Sequence, residues 1–185
     1  MNLITDSSWT LFLDRDGVIN VRIPGDYIRT PEQFEFIPGT LEALKTFASS
    51  FSRIIVVTNQ QGIGKGLMNE EMLHTVHKHM LDQVQSAGGR IDRIFYSPYL
   101  CSRQHVSRKP GIGMALQARA EYRSINFRKS IMAGDSLSDL IFGRRMGMTT
   151  VLIGPPDIAR KNPDYADYNF PDLLTFAEEI KANSP

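Results

Sequence analysis

The chain has 185 residues, with 21 Lys and Arg against 20 Asp and Glu and a hydrophobic fraction of 42%. That length predicts one domain, 1–185, able to bury roughly 70% of its unfolded surface without a disulfide or metal staple. The composition excludes a disordered chain, a collagen and a coiled coil, and a formal net charge of +1 provides no global field toward nucleic acid or an anionic membrane. The lone cysteine, Cys101, can form no intrachain disulfide, which points to a reducing compartment. The first ten residues, MNLITDSSWT, lack the basic and apolar regions of a secretory signal. The densest apolar run, Ile54-Ile55-Val56-Val57, falls far short of the ~20 residues a spanning helix needs. A soluble, cytoplasmic, monomeric protein is expected.

In chain order, residues 9–13 read as a buried strand that stops at Asp14. Residues 21–38 are long and poor in periodicity, which suggests a flap over a site. A helix is predicted over 40–49, with Leu41, Leu44 and Phe47 on one face. The strand at 53–58 is apolar on both faces, as in a parallel sheet covered by helices. The helix predicted over 69–87 has Asn69 as N-cap, Glu70 and Glu71 in its first turn and Gly88-Gly89 at its end. Its stripe is Met72, Val76, Met80 and Val84, with Leu73 and Leu81 beside it. A strand at 93–96, an irregular stretch at 97–110, a helix at 114–122, a strand at 130–133, a helix at 137–146 and a strand at 149–153 follow. Pro155-Pro156 breaks the chain, and Pro171-Asp172 opens a last helix. This alternation predicts an α/β fold, a doubly wound Rossmann-like parallel sheet with helices on both faces.

In such folds ligands bind where strands end. Asp14-Arg15-Asp16-Gly17 follows the first strand, Thr58-Asn59-Gln60 closes the second, and Gly134-Asp135-Ser136 follows the fourth, with Asp139 four residues on. Arg108-Lys109-Pro110 precedes the 114–122 helix. Three carboxylates gathered at such strand ends repel one another unless a cation joins them. Asp14, Asp16 and Asp135 suit a hard divalent ion, Mg²⁺ above all. Thr58 and Lys109 supply a hydroxyl and a point charge for an anion such as phosphate. Asp14 can then act as a nucleophile, and Asp16 can protonate the leaving oxygen and activate water.

The set Asp14-x-Asp16-Gly17-Val18, Thr58-Asn59, Lys109 and Gly134-Asp135-x-x-x-Asp139 resembles the four ordered motifs of the haloacid dehalogenase superfamily of phosphatases. The resemblance runs from about Leu11 to Ile153. LFLDRDGVIN, FIPGTLEAL, VVTNQQGIGKG, SRKPG and AGDSLSDL are similar to the branch holding histidinol-phosphate and D-glycero-D-manno-heptose 1,7-bisphosphate phosphatases. The 58–66 pattern and the Gly25-Asp26-Tyr27 flap look closer to the heptose enzymes. The resemblance implies Asp14 as nucleophile, Asp16 as general acid/base, and Thr58 and Lys109 as holders of the transferring phosphoryl group. It implies Mg²⁺ on Asp14, the Asp16 backbone carbonyl and Asp135, with Asp139 in support. Asn59, Gln60, Lys65, Arg108, Asp26 and Tyr27 are the implied substrate contacts. The implied substrate is a small phosphorylated metabolite: the heptose bisphosphate first, histidinol phosphate or another sugar phosphate as the alternative. That branch often carries a zinc loop of three cysteines and a histidine before Arg-Lys-Pro. Here 97–107 is shorter, with only Cys101 and His105, so no zinc is expected.

Other signals have plainer readings. Residues 62–66 complete neither a P-loop nor GxGxxG, and read as a turn unless Lys65 reaches a substrate phosphate. His74, His77 and His79 read as a solvated helix face, and Arg144-Arg145 as surface. A nucleic-acid 3′-phosphatase shares these motifs, but the near-neutral charge and the lack of an aromatic–basic stripe argue against that partner.

Overall fold

The computed structural model describes residues 5–183. Residues 1–4, part of the stretch read for a secretory signal, lie outside it. β1 (Thr10–Leu13), β2 (Arg53–Asn59), β3 (Arg93–Ser97), β4 (Ser130–Gly134), β5 (Thr149–Ile153) and β6 (Tyr168–Phe170) form one sheet in the order β3-β2-β1-β4-β5-β6. Every neighbouring pair is parallel. The chain winds outward from β1 to β3, then returns to the other side of β1. That reversal opens a crevice at the carboxyl ends of β1 and β4. Leu13 lies beside Val56 and Ala133, so the residues that follow β1, β2 and β4 emerge along one edge.

Strand side chains alternate between two cores. Leu11, Leu13, Ile54, Val56 and Ile131 pack against α1 (Thr40–Ser50), α3 (Glu70–Ser86) and α7 (Leu173–Asn183). Phe12, Ile55, Val57 and Met132 pack against α4 (Gly113–Glu121) and α5 (Leu137–Met146). The doubly wound sheet expected from the sequence is therefore present. The 155–171 stretch is more structured than predicted. It holds α6 (Asp157–Lys161) and the edge strand β6. Both are too short to carry a periodic signal. Asp167 fixes the approach to β6 by accepting from the Thr150 N–H at 2.8 Å. A single helical turn, α2 (Gln61–Gly64), follows β2.

Residues 21–38 form a tethered loop. The Val21 N–H donates to Glu35 O at 2.8 Å and the Ile37 N–H to Ile19 O at 3.1 Å. Ile28 and Phe34 anchor it in the core. In α3, Asn69 caps as expected, accepting from the Met72 N–H at 2.8 Å. Its buried face is Leu73, Val76, His77, Met80 and Val84. His77 thus corrects the expectation of a solvated histidine face, because its position falls inside the core stripe. His74 is exposed. No helix among the described residues is long and apolar enough to cross a membrane.

Candidate active site

Asp14 leaves β1 almost fully buried. Its Oδ1 accepts from the Arg15 N–H at 2.7 Å and lies 2.9 Å from Lys109 Nζ. Lys109 Nζ also lies 2.6 Å from Asp139 Oδ1. The other Asp139 oxygen caps α5, accepting from the Ser136 N–H at 3.1 Å and the Ser136 hydroxyl at 2.6 Å. Asn59 clamps the Lys109 backbone: its Oδ1 accepts from the Lys109 N–H at 3.0 Å and its Nδ2 donates to Lys109 O at 3.1 Å. Asp14 after β1 and Asp139 at the start of α5 are thereby tied to one ammonium group, and the end of β2 to the backbone of the same lysine. Burial depresses the Lys109 pKa, but Asp139 and Asp14 outweigh it, raise the pKa and keep the charge.

Burial pushes the Asp14 carboxyl up to about 7, aided by the charges of Asp139 and Asp135 and opposed by Lys109. Burial also lifts Asp135, to about 6, opposed by Arg22 and aided by Asp139. Asp16 goes the other way. Burial would raise it, but the Arg15 guanidinium, Asn20 and Gln60 outweigh burial and hold it below the usual carboxylate range. Arg15 Nη2 reaches both Asp16 oxygens, at 2.8 and 2.9 Å. Asn20 Nδ2 donates to Oδ1 at 3.0 Å, and Gln60 Nε2 to Oδ2 at 2.8 Å. These two neighbouring carboxylates are therefore poised for different work.

The residues present fit a hard divalent cation. Oxygens of Asp14, Asp135 and Asp139 all lie within 4.8 Å of one another. A cation already stands beside two of the expected donors: Arg22 Nη2 donates to the Asp16 backbone carbonyl at 3.0 Å and to Asp135 Oδ1 at 2.9 Å. Backbone and carboxylate oxygens are Mg²⁺ ligands by type. Gly17 permits this closeness. Its φ is +89°, and a Cβ there would lie 2.1 Å from Asp135 Oδ2. At Gly134 a Cβ would lie 2.2 Å from the Asp139 Cβ, so the turn into α5 also depends on a missing side chain.

A cavity of about 430 Å³ opens over these groups, within the usual range for a small-molecule site. It is lined by Asp14, Asp16 and Thr58 at the strand ends and by Asn59, Lys65 and Arg108 around them. The loop at 21–38 supplies Arg22, Asp26 and Tyr27 to the lining. Lys65 Nζ lies 5.3 Å from the Tyr27 ring centre, and Asp26 pairs with Arg29. Gln60 differs from the expectation of a substrate contact. It is buried, and its amide serves Asp16 and the Thr58 hydroxyl, the latter at 2.9 Å. In the 97–107 loop, Cys101 is exposed and His105 Nδ1 meets the Ser107 hydroxyl at 2.8 Å. A larger groove, about 1140 Å³, runs along α1 past Lys45 and Lys181, and no strand-end residue lines it.

Sequence reasoning missed Arg15, Asn20, Arg22 and His77. Arg15 carries a signal in hindsight: it is a cation held between two carboxylates in a run that leaves a strand. Arg22 carries none, because only the fold of the loop returns it to Asp135.

A family model described as "Polynucleotide kinase 3 phosphatase" matches residues 11–183. D-glycero-alpha-D-manno-heptose-1,7-bisphosphate 7-phosphatase of Mycobacterium tuberculosis (strain CDC 1551 / Oshkosh) is 38% identical over 173 residues, covering 93% of this chain and 91% of that protein. D-glycero-beta-D-manno-heptose-1,7-bisphosphate 7-phosphatase of Pasteurella multocida (strain Pm70) is 31% identical over 183 residues, covering 93% and 98%. The crystal structure of D,D-heptose 1.7-bisphosphate phosphatase from B. bronchiseptica, complexed with magnesium and phosphate, has a TM-score of 0.82 at 26% identity, covering 94% and 98%.

Proposed function

The chain belongs to the polynucleotide kinase 3 phosphatase family, within the haloacid dehalogenase superfamily, and on that premise we propose that it removes the 7-phosphate of D-glycero-D-manno-heptose 1,7-bisphosphate through an aspartyl-phosphate on Asp14. The observation that carries this reading is that Asp14, Asp16 and Thr58 line one cavity, with Lys109 Nζ 2.9 Å from the Asp14 carboxylate. The names of the relatives supply the sugar.

The residues divide the work as follows. An Asp14 carboxylate oxygen attacks phosphorus and the bond from phosphorus to the sugar oxygen breaks. Asp16 delivers a proton to that oxygen. Arg15 keeps Asp16 ionised in the resting site, so the proton is taken up as the phosphate dianion enters and its charge raises Asp16's proton affinity. Water then attacks phosphorus, Asp16 takes the water's proton, and the bond to Asp14 breaks to release phosphate. Throughout, Lys109 and the Thr58 hydroxyl hold the phosphoryl oxygens. Asp14, the Asp16 carbonyl and Asp135 would hold Mg²⁺, which when bound neutralises charge on the phosphoryl group. Asp139 steadies Lys109 and the start of α5. No zinc is assigned to the 97–107 loop.

The test is phosphate release, with Mg²⁺ and with EDTA, from both anomers of the heptose bisphosphate, histidinol phosphate, hexose phosphates and a 3′-phosphorylated oligonucleotide. A Mg²⁺-dependent preference for a heptose bisphosphate, abolished by Asp14→Asn, is expected. Preference for histidinol phosphate or the oligonucleotide would overturn the substrate. Wild-type rates in Asp14→Asn would overturn the nucleophile.

A further inference from the structure

We infer that His77 is a positioning residue for leaving-group protonation: from the core face of α3 it fixes the buried Arg15 fork, and through it the carboxylate of Asp16. The inference rests on the phosphatase reading above. His77 Nε2 lies 3.0 Å from Arg15 Nη1. Arginine has donors only and keeps its proton, so Nε2 must be the acceptor. The ring is then neutral, with its proton on Nδ1. Burial and the Arg15 charge act in the same direction, pushing its pKa down to about 3.

Arg15 is wholly buried, and His77 is 5% exposed. Water is a poor substitute for either partner there. Among the described residues, the other hydrogen bonds of the Arg15 side chain go to Asp16, with Nε 3.2 Å from Oδ1 and Nη2 close to both oxygens. The aim of the fork therefore depends on what holds Nη1. An apolar residue at 77 would suit the row of Leu73, Val76, Met80 and Val84, but would leave a buried guanidinium N–H unpaired. The fork would turn to recover a partner and would take the Asp16 carboxylate with it. Misplacement of a proton donor by a fraction of an ångström is felt in rate.

The test exploits leaving-group chemistry. A sugar alkoxide needs a proton to leave, whereas p-nitrophenolate does not. Dividing kcat/KM for the heptose bisphosphate by kcat/KM for p-nitrophenyl phosphate isolates the protonation of the first step, since both share nucleophile, Lys109 and metal. In His77→Leu this ratio should fall at least about tenfold. His77→Gln restores a carbonyl acceptor and should recover most of it. His77→Met, which fills similar volume with only a weak acceptor, replaces the Leu variant if that fails to fold. Equal losses on both substrates, or no rescue by Gln, would mean that His77 is merely structural and overturn the inference alone. A wild-type enzyme that releases phosphate from neither compound would overturn the functional reading and the inference with it.

Discussion

Lys109 Nζ stands 2.9 Å from one buried carboxylate and 2.6 Å from another, with its own side chain 1% exposed. Breaking such a group by deleting one member leaves uncompensated buried charge, which costs about 3–5 kcal/mol. Lys109→Met is therefore expected to abolish phosphatase activity and to lower stability to urea by that amount. Adding Asp139→Asn removes one of the two facing negative charges and should restore part of the stability but none of the activity. Wild-type stability in Lys109→Met would show that Lys109 does not hold the carboxylates. The identity of Lys109, Asp14 and Asp139 was legible in the motif order. Their mutual distances were not, because Asp139 reaches Lys109 only through the turn at Gly134.

Two helix starts set the geometry one level up. In α5, the Asp139 side chain closes the first turn and pairs with Lys109, so cap and site share one carboxylate. In α3 the cap is separate from the chemistry. Asn69→Ala should cost about 1 kcal/mol, read as a lower urea midpoint, while kcat/KM stays at its wild-type value. A fall in kcat/KM would mean that the start of α3 bears on the site. The Asn69 cap was readable because the sequence itself encodes it: a capping side chain, two acids and a glycine pair at the far end. The short elements α2, α6 and β6 were not readable, since each is held by contacts from elsewhere, as the backbone of β6 is held by β5.

Across the whole molecule, the pH response follows from which state binds protons more tightly. Asp14, at about 7, and Asp135, at about 6, are raised from an ordinary value of 3.8. The folded chain therefore holds those protons better than the unfolded one, and their contribution is full below pH 3.8 and lost as pH rises through 6 to 7. His77 opposes them. Its pKa is lowered from 6.5 to about 3, so its contribution is present above 6.5 and lost as pH falls toward 3. Two groups against one leaves metal-free stability falling as pH rises from about 4 to 7. Mg²⁺ held as proposed on Asp14 and Asp135 would require the ionised carboxylates and compete with those protons. The gain in Tm on adding Mg²⁺ should thus be larger at pH 7.5 than at pH 5.5, as measured by calorimetry. An equal gain at both would mean that Asp14 and Asp135 do not bind the ion.

The alternation of strands and helices, and with it the doubly wound sheet, was readable from the order of residues alone. So were three motifs at strand ends and a fourth before α4, because buried parallel strands and capped helices are encoded by local pattern. Asp14, Asp16, Thr58 and Asp135 were named because a strand end is a position in the chain as well as in space, and Lys109 because Arg108-Lys109-Pro110 completes the motif order ahead of α4. Which polar groups stand behind those residues depended on how distant segments folded onto one another. Gln60 turned inward, His77 came to lie under Arg15, and Arg22 folded back onto Asp135. Such contacts join residues up to 113 positions apart, and no periodicity in one segment reports what another segment brings to it.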